Sequence, residues 1–154
     1  MDIFYKRLKM KKAACLLLLI EDKAACLETF NILVVERLNE SKIGLPGGEV
    51  EENEEPIDAV IREIKEETNL DITKDQLVLV YACVCDGFYC ETFGVKFKEI
   101  PNINLENLKQ MEKHISPKFT KFNVNNFAIP SRFMEYNRGI IINSEDIIKT
   151  LKGE

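Results

Sequence analysis

The sequence predicts an α/β or α+β sandwich, an α/β/α arrangement with a mixed β-sheet packed between helices. Two observations carry this. Runs rich in apolar, β-branched and aromatic residues are interleaved with a few segments of helical periodicity. No internal repeat, low-complexity tract or linker divides the chain. At 154 residues and 45% hydrophobic composition one core and a single domain are expected, with roughly 68 to 70% of the unfolded surface buried on folding. Periodicity alone does not separate this sandwich from other three-layer folds.

The first expected strand covers residues 12–20. Basic Lys6, Arg7, Lys9, Lys11 and Lys12 ahead of an apolar run imitate the opening of a secretory signal. The run from Ala13 to Ile20 is too short to span a bilayer, and Glu21, Asp22 and Lys23 part it from the small residues Ala24 and Ala25, so a buried strand is the better reading. A turn or small hairpin over 21–28 leads to a second strand at 30–37. Residues 38–46 read as a loop ending in Pro46, Gly47 and Gly48, a backbone able to turn sharply.

The next segment is a helix. Pro56 suits its first position, where a missing N–H costs nothing, Asp58 complements the positive end of the dipole, and Glu55 is a mediocre N-cap. Ile57, Val60, Ile61, Ile64 and Thr68 recur at helical spacing as one buried stripe. Asn69 closes the helix, because the left-handed backbone required there suits Asn best after Gly. Beyond it, 76–85 and 88–98 read as a hairpin about Asp86-Gly87. Residues 101–104 are loop, and 105–115 form a helix with Leu105, Leu108, Met111 and Ile115 on one side. The stretch 116–143, rich in Asn and Phe and holding Pro117 and Pro130, gives short strands and loop, with a strand at 139–142. Ser144, Glu145 and Asp146 open a last helix that buries Ile147, Ile148 and Leu151.

Charge and cysteine usage exclude several functions. A net charge of -5 argues against stable nucleic-acid binding and against attraction to anionic membranes. Cysteines at 15, 26, 83, 85 and 90 include no C-x-x-C pair, and His114 is the sole histidine, which excludes a zinc site of the usual Cys/His kind. Cys83 and Cys85, at strand spacing, read as small core residues, and the odd count suits a reducing cytoplasm.

Within the 56–68 helix, Glu63, Glu66 and Glu67 stand at i, i+3 and i+4 and fall within roughly 100° of arc, centred roughly 110° from the apolar stripe. Like charges at that spacing cost a few tenths of a kcal/mol, and a divalent cation converts their repulsion into ligation. Taken alone, three such glutamates are more often a solvated acidic face. Their surroundings change the reading.

Residues 48–70 read GEVEENEEPIDAVIREIKEETNL. This resembles the signature of the Nudix hydrolase family: a glycine, five residues, a glutamate, seven residues, then Arg-Glu-apolar-any-Glu-Glu-any-Gly-apolar. Every defining position agrees except Asn69, where the family has a second glycine. The resemblance implies the same sandwich fold and Mg²⁺-dependent hydrolysis of a pyrophosphate linkage in a nucleoside diphosphate linked to another moiety, with Mn²⁺ as an alternative metal. It implies Glu66 and Glu67 as metal ligands, Glu63 as ligand or general base, the Gly48 carbonyl as a further ligand, Arg62 as the residue orienting the acids, and Glu54 as its partner. A base from outside the motif is also a family trait, with Glu91, Glu106 and Glu112 as candidates, each more often a surface charge.

The substrate is less legible. A nucleoside triphosphate or similar small nucleotide is the leading expectation. Dinucleoside polyphosphates, ADP-sugars and capped mRNA are the alternatives. Tyr89 and Phe133 are weak candidates to stack on a base, each more often a core or hairpin residue. A binding module serving as a non-catalytic nucleotide sensor is the contrasting class, but its usual mark is loss of one of the paired glutamates, and all are present. Monomer and homodimer both remain open.

Overall fold

Unbroken apolarity decides the centre of the sheet. In the computed structural model, which describes residues 10–21, 29–37, 42–85, 87–105, 115–123 and 149, seven consecutive side chains of β1 (Lys11–Glu21) are buried, as in a strand covered on both faces. Leu16, Leu17, Leu18 and Leu19 are fully buried, and each such side chain stabilises the fold by roughly 1.5–3 kcal/mol relative to exposure. The expected signal-like run is therefore a core strand.

On one side β1 runs parallel to β6 (Phe88–Phe97), from Lys11 opposite Phe88 to Ile20 opposite Phe97. Its other side is shared by two antiparallel partners: β4 (Gly47–Glu49) along Ala13 to Cys15, and β2 (Thr29–Arg37) along Leu19 to Glu21. β3 (Lys42–Gly44) and β7 (Ile115–Asn123) add to β2, and β5 (Val78–Cys85) adds to β6, giving a mixed seven-stranded sheet. The β5–β6 hairpin closes with Cys85 opposite Phe88, and Gly87 takes φ 80, as the expected turn pair demands.

Among the described elements, helix α1 (Pro56–Thr68) lies on the sheet. Glu55 caps it in extended conformation without a side-chain bond, and Asn69 ends it at φ 61, ψ 15 with its N–H donated to the Lys65 carbonyl. Ala59, Val60 and Ile64 pack on Ala14, Leu16, Leu18, Leu33, Phe93 and Val95. On the opposite sheet face Leu17, Leu19, Phe30, Ile32 and Val34 gather with Cys15 and Cys90. No described helix is long and apolar enough to cross a membrane.

The mixed α/β class is observed, and several details differ from expectation. The buried face of α1 is Ala59, Val60, Ile64, Glu67 and Thr68, whereas Ile57 and Ile61 are only half-buried. Small Ala59 is fully buried against the sheet, and Glu67 is buried beside this face. The 38–46 loop contains β3, and the Gly47-Gly48 turn is a paired strand, β4. Gln76 belongs to a 3-10 turn (Lys74–Gln76), so β5 starts at Val78. Ile115 opens β7 and does not end a helix. Ser116 precedes Pro117 and is biased to extended backbone, which favours the strand. The expected helix over 106–114, the strand at 139–142 and the rest of 124–143 lie outside the described residues, as does the last helix apart from helical Lys149.

Candidate active site

The Gly-Gly pair is built into the sheet edge beside α1. Leu16 N–H donates to the Pro46 carbonyl at 2.9 Å and Val50 N–H to the Lys12 carbonyl at 2.8 Å, clamping β4 along β1 at both ends. A Cβ on Gly47 would run into the Ala14 carbonyl oxygen, so this strand must approach β1 without a side chain. A Cβ on Gly48 would stand 2.5 Å from Cδ and 2.6 Å from Oε1 of Glu63. The space over Gly48 is thus filled by a helix carboxylate.

Arg62 organises the acids. Its Nε and Nη2 donate to the two oxygens of Glu54 at 2.9 and 3.0 Å, a two-pronged pairing that only a guanidinium provides. Nη1 donates to Glu63 Oε1 at 2.9 Å, and Nη2 also reaches the Glu49 carbonyl at 3.2 Å. Glu66 Oε2 lies 3.6 Å from Nη1 and Glu51 Oε1 3.9 Å. Hydrogen bonding from Arg62, then from the Glu51 N–H, holds the Glu54 carboxyl below its ordinary range. In return Glu54 first, and then Glu63, push the guanidinium further above its own. Sequence reasoning missed the Glu49 carbonyl and Glu51, whose part depends on backbone position and not on residue type.

The three helix glutamates occupy different environments. The Glu63 side chain is 18% exposed and bound to Arg62, and that of Glu66 is 49% exposed. Glu67 is buried at 7% and lies near enough to Cys15 that its charge helps raise that thiol, after the larger effects of the Cys90 hydrogen bond and burial.

A further carboxylate shares the sheet row. Gly48, Ala14 and Glu91 lie side by side across β4, β1 and β6, so Glu91 projects to the helix face of the sheet. It is half-buried and accepts a hydrogen bond from the Tyr89 hydroxyl at 3.1 Å. Burial first, and then that bond, raise the tyrosine. Tyr89 therefore borders this row as a partner of Glu91. Phe133, Glu106 and Glu112 lie outside the described residues.

Donor chemistry suits Mg²⁺ or Mn²⁺: carboxylates and a backbone carbonyl are hard oxygen donors, and the surface over Gly48 is kept clear of a Cβ. Among the described residues no three His, Cys, Asp or Glu side chains are already gathered as a ligand set. Glu63 is turned onto Arg62, and Glu67 points into the fold.

The NUDIX domain family model matches residues 10–100, more than half of the chain. No curated protein sequence matches significantly. Among solved structures, a mutT/nudix family protein from Listeria innocua is similar with a TM-score of 0.63 and 17% identity over 91% of this chain and 94% of that one. A C. elegans Ap4A hydrolase binary complex aligns at 0.61 and 18% over 91% of this chain and 98% of its own. A MutT/nudix family protein from Enterococcus faecalis aligns at 0.60 and 16% over 90% of this chain, which spans 62% of that protein's length. These neighbours share the fold, and the domain match adds the family: the chain belongs to the NUDIX domain family.

Proposed function

We propose that this enzyme hydrolyses a pyrophosphate linkage in a small nucleotide, a nucleoside triphosphate or similar compound, with Mg²⁺ or Mn²⁺ held by Glu63, Glu66, Glu67 and the Gly48 carbonyl. The observation that carries this reading is the seat of Glu63 over Gly48, fixed by Arg62.

Water attacking a phosphorus must lose a proton while negative charge builds on the surrounding oxygens. A bound divalent cation supplies positive charge to those oxygens and makes water more acidic. Arg62 donates to both Glu54 and Glu63 and holds Glu63 in one orientation beside Gly48. Glu66 is the most exposed of the three helix acids and Glu67 the most buried. Glu91, on the Gly48 row, is a candidate to accept the water's proton, with Glu63 as the other.

The test is a product-resolved activity screen with and without Mg²⁺. It spans canonical and oxidised nucleotides, nucleotide sugars, ADP-ribose, dinucleoside polyphosphates and capped RNA. Mg²⁺-dependent release of a nucleoside monophosphate supports the reading. Turnover within about tenfold of wild type in folded Glu66→Gln and Glu67→Gln proteins overturns it, since a transition-state charge partner is worth several kcal/mol.

A further inference from the structure

Three thiols assemble on the sheet face opposite α1. Cys15 of β1, Cys90 of β6 and Cys83 of β5 pack in one cluster, and all four described cysteines are thiols. The sulfurs of Cys15 and Cys90 are 3.7 Å apart. Yet Ala13, not Cys15, stands opposite Cys90. Two residues of strand rise combined with one strand spacing separate the Cys15 and Cys90 Cα atoms by about 8 Å, beyond the ~7 Å limit for a bridge. Cys83 and Cys90 are instead direct partners in the β5–β6 ladder. Opposed antiparallel residues sit about 4.5–5.5 Å apart at Cα with side chains on one face, inside the disulfide window. Cys85 stands opposite Phe88 in the same ladder.

We propose that Cys83 and Cys90, direct partners across the β5–β6 ladder, form a disulfide site responsive to small peroxides. Cys83 is half-buried at the outer strand and Cys90 is 4% exposed, so oxidant meets Cys83 first. The Cys83 thiolate attacks a peroxide oxygen, the O–O bond breaks, sulfur is oxidised to sulfenic acid, and hydroxide leaves. The Cys90 thiolate then attacks the Cys83 sulfur, forming S–S, breaking S–O and releasing a second hydroxide. The two thiol protons convert both hydroxides to water. Cys90 suits the resolving role because it stands directly opposite Cys83 and is buried, whereas Cys83 is the more exposed of the two. Bridging withdraws the Cys90 sulfur from Cys15, whose thiol feels the charge of Glu67.

The experiment treats the reduced full-length chain with equimolar hydrogen peroxide, blocks remaining thiols and maps linked peptides by mass spectrometry. The expected product is a Cys83–Cys90 link that dithiothreitol reverses, kept in Cys15→Ser and absent in Cys83→Ser. A Cys15–Cys90 link, a link between chains, or Cys83 carried to sulfinic acid without any link overturns the proposal, as does the absence of any oxidation product. If Cys83→Ser fails to fold, the wild-type map decides alone.

Discussion

The Glu63 carboxylate occupies the space into which a side chain on Gly48 would project. Because the displaced atoms are the tip of a flexible side chain, Gly48→Ala is expected to cost less than about 1 kcal/mol of stability. With Glu63 in its proposed role, moving it is expected to cost roughly 10²-fold in kcat, the usual penalty for a 1 Å misplacement. Gly47→Ala should show the reverse balance. There the obstacle is the Ala14 backbone, so unfolding in urea should reveal a loss of about 1–3 kcal/mol. Equal stability losses in both variants would contradict this assignment.

Arg62→Lys removes the fork. A lysine reaches one oxygen of Glu54 or Glu63 but not Glu54 by two prongs and the Glu49 carbonyl as well. Both partners are partly exposed, so the stability loss is only about 1 kcal/mol. Catalysis should fall further, by roughly 10²-fold, as Glu63 loses its anchor. Steady-state kinetics beside urea titrations separate the two effects.

Acid stability follows from Glu54. Its carboxyl titrates lower in the folded chain than in the unfolded one. Its contribution is therefore complete above the unfolded carboxylate range and is lost as pH falls through the folded value. Glu54→Gln should flatten the acid limb of stability against pH while leaving the neutral-to-alkaline slope unchanged. An acid limb identical to wild type would show that the Arg62 pairing contributes nothing to folding.

Asn69 stands at φ 61, where glycine is at ease and most side chains are not. Asn69→Gly should leave stability within about 0.5 kcal/mol of wild type or raise it, whereas Asn69→Val should lose roughly 1–2 kcal/mol. Thermal unfolding of the pair checks this.

Legibility in the sequence followed how local each feature is. Pro56, Asp58 and Asn69 act on the backbone next to them, and the α1 boundaries read from them agree with the structure. β1 was legible because its apolar run needs no partner to be recognised. By contrast, β3 and β4 span three residues each and exist through pairing with β2 and β1, which no short pattern records. Of the expected helix stripe, Val60, Ile64 and Thr68 are buried and Ile57 and Ile61 pack partly buried against the same core, while Ala59, which carries little hydrophobic weight in a periodicity reading, joins them unannounced. The carboxylates Glu63, Glu66 and Glu67 were legible as a spacing, but burial of Glu67 alone among them was not. Glu91 was legible only as a charge, since its position beside Gly48 arises from two strand registers.

The parallel pairing of β1 with β6 joins Lys11 to Phe88, far apart along the chain. During synthesis the acidic helix thus emerges well before the strand that completes the sheet beneath it, and closing so long a span must precede any reward from packing. Until translation passes Phe97, Ala59, Val60 and Ile64 have only part of their eventual floor. Nascent chains arrested before that point should be more readily cleaved by proteases at this helix than chains released complete.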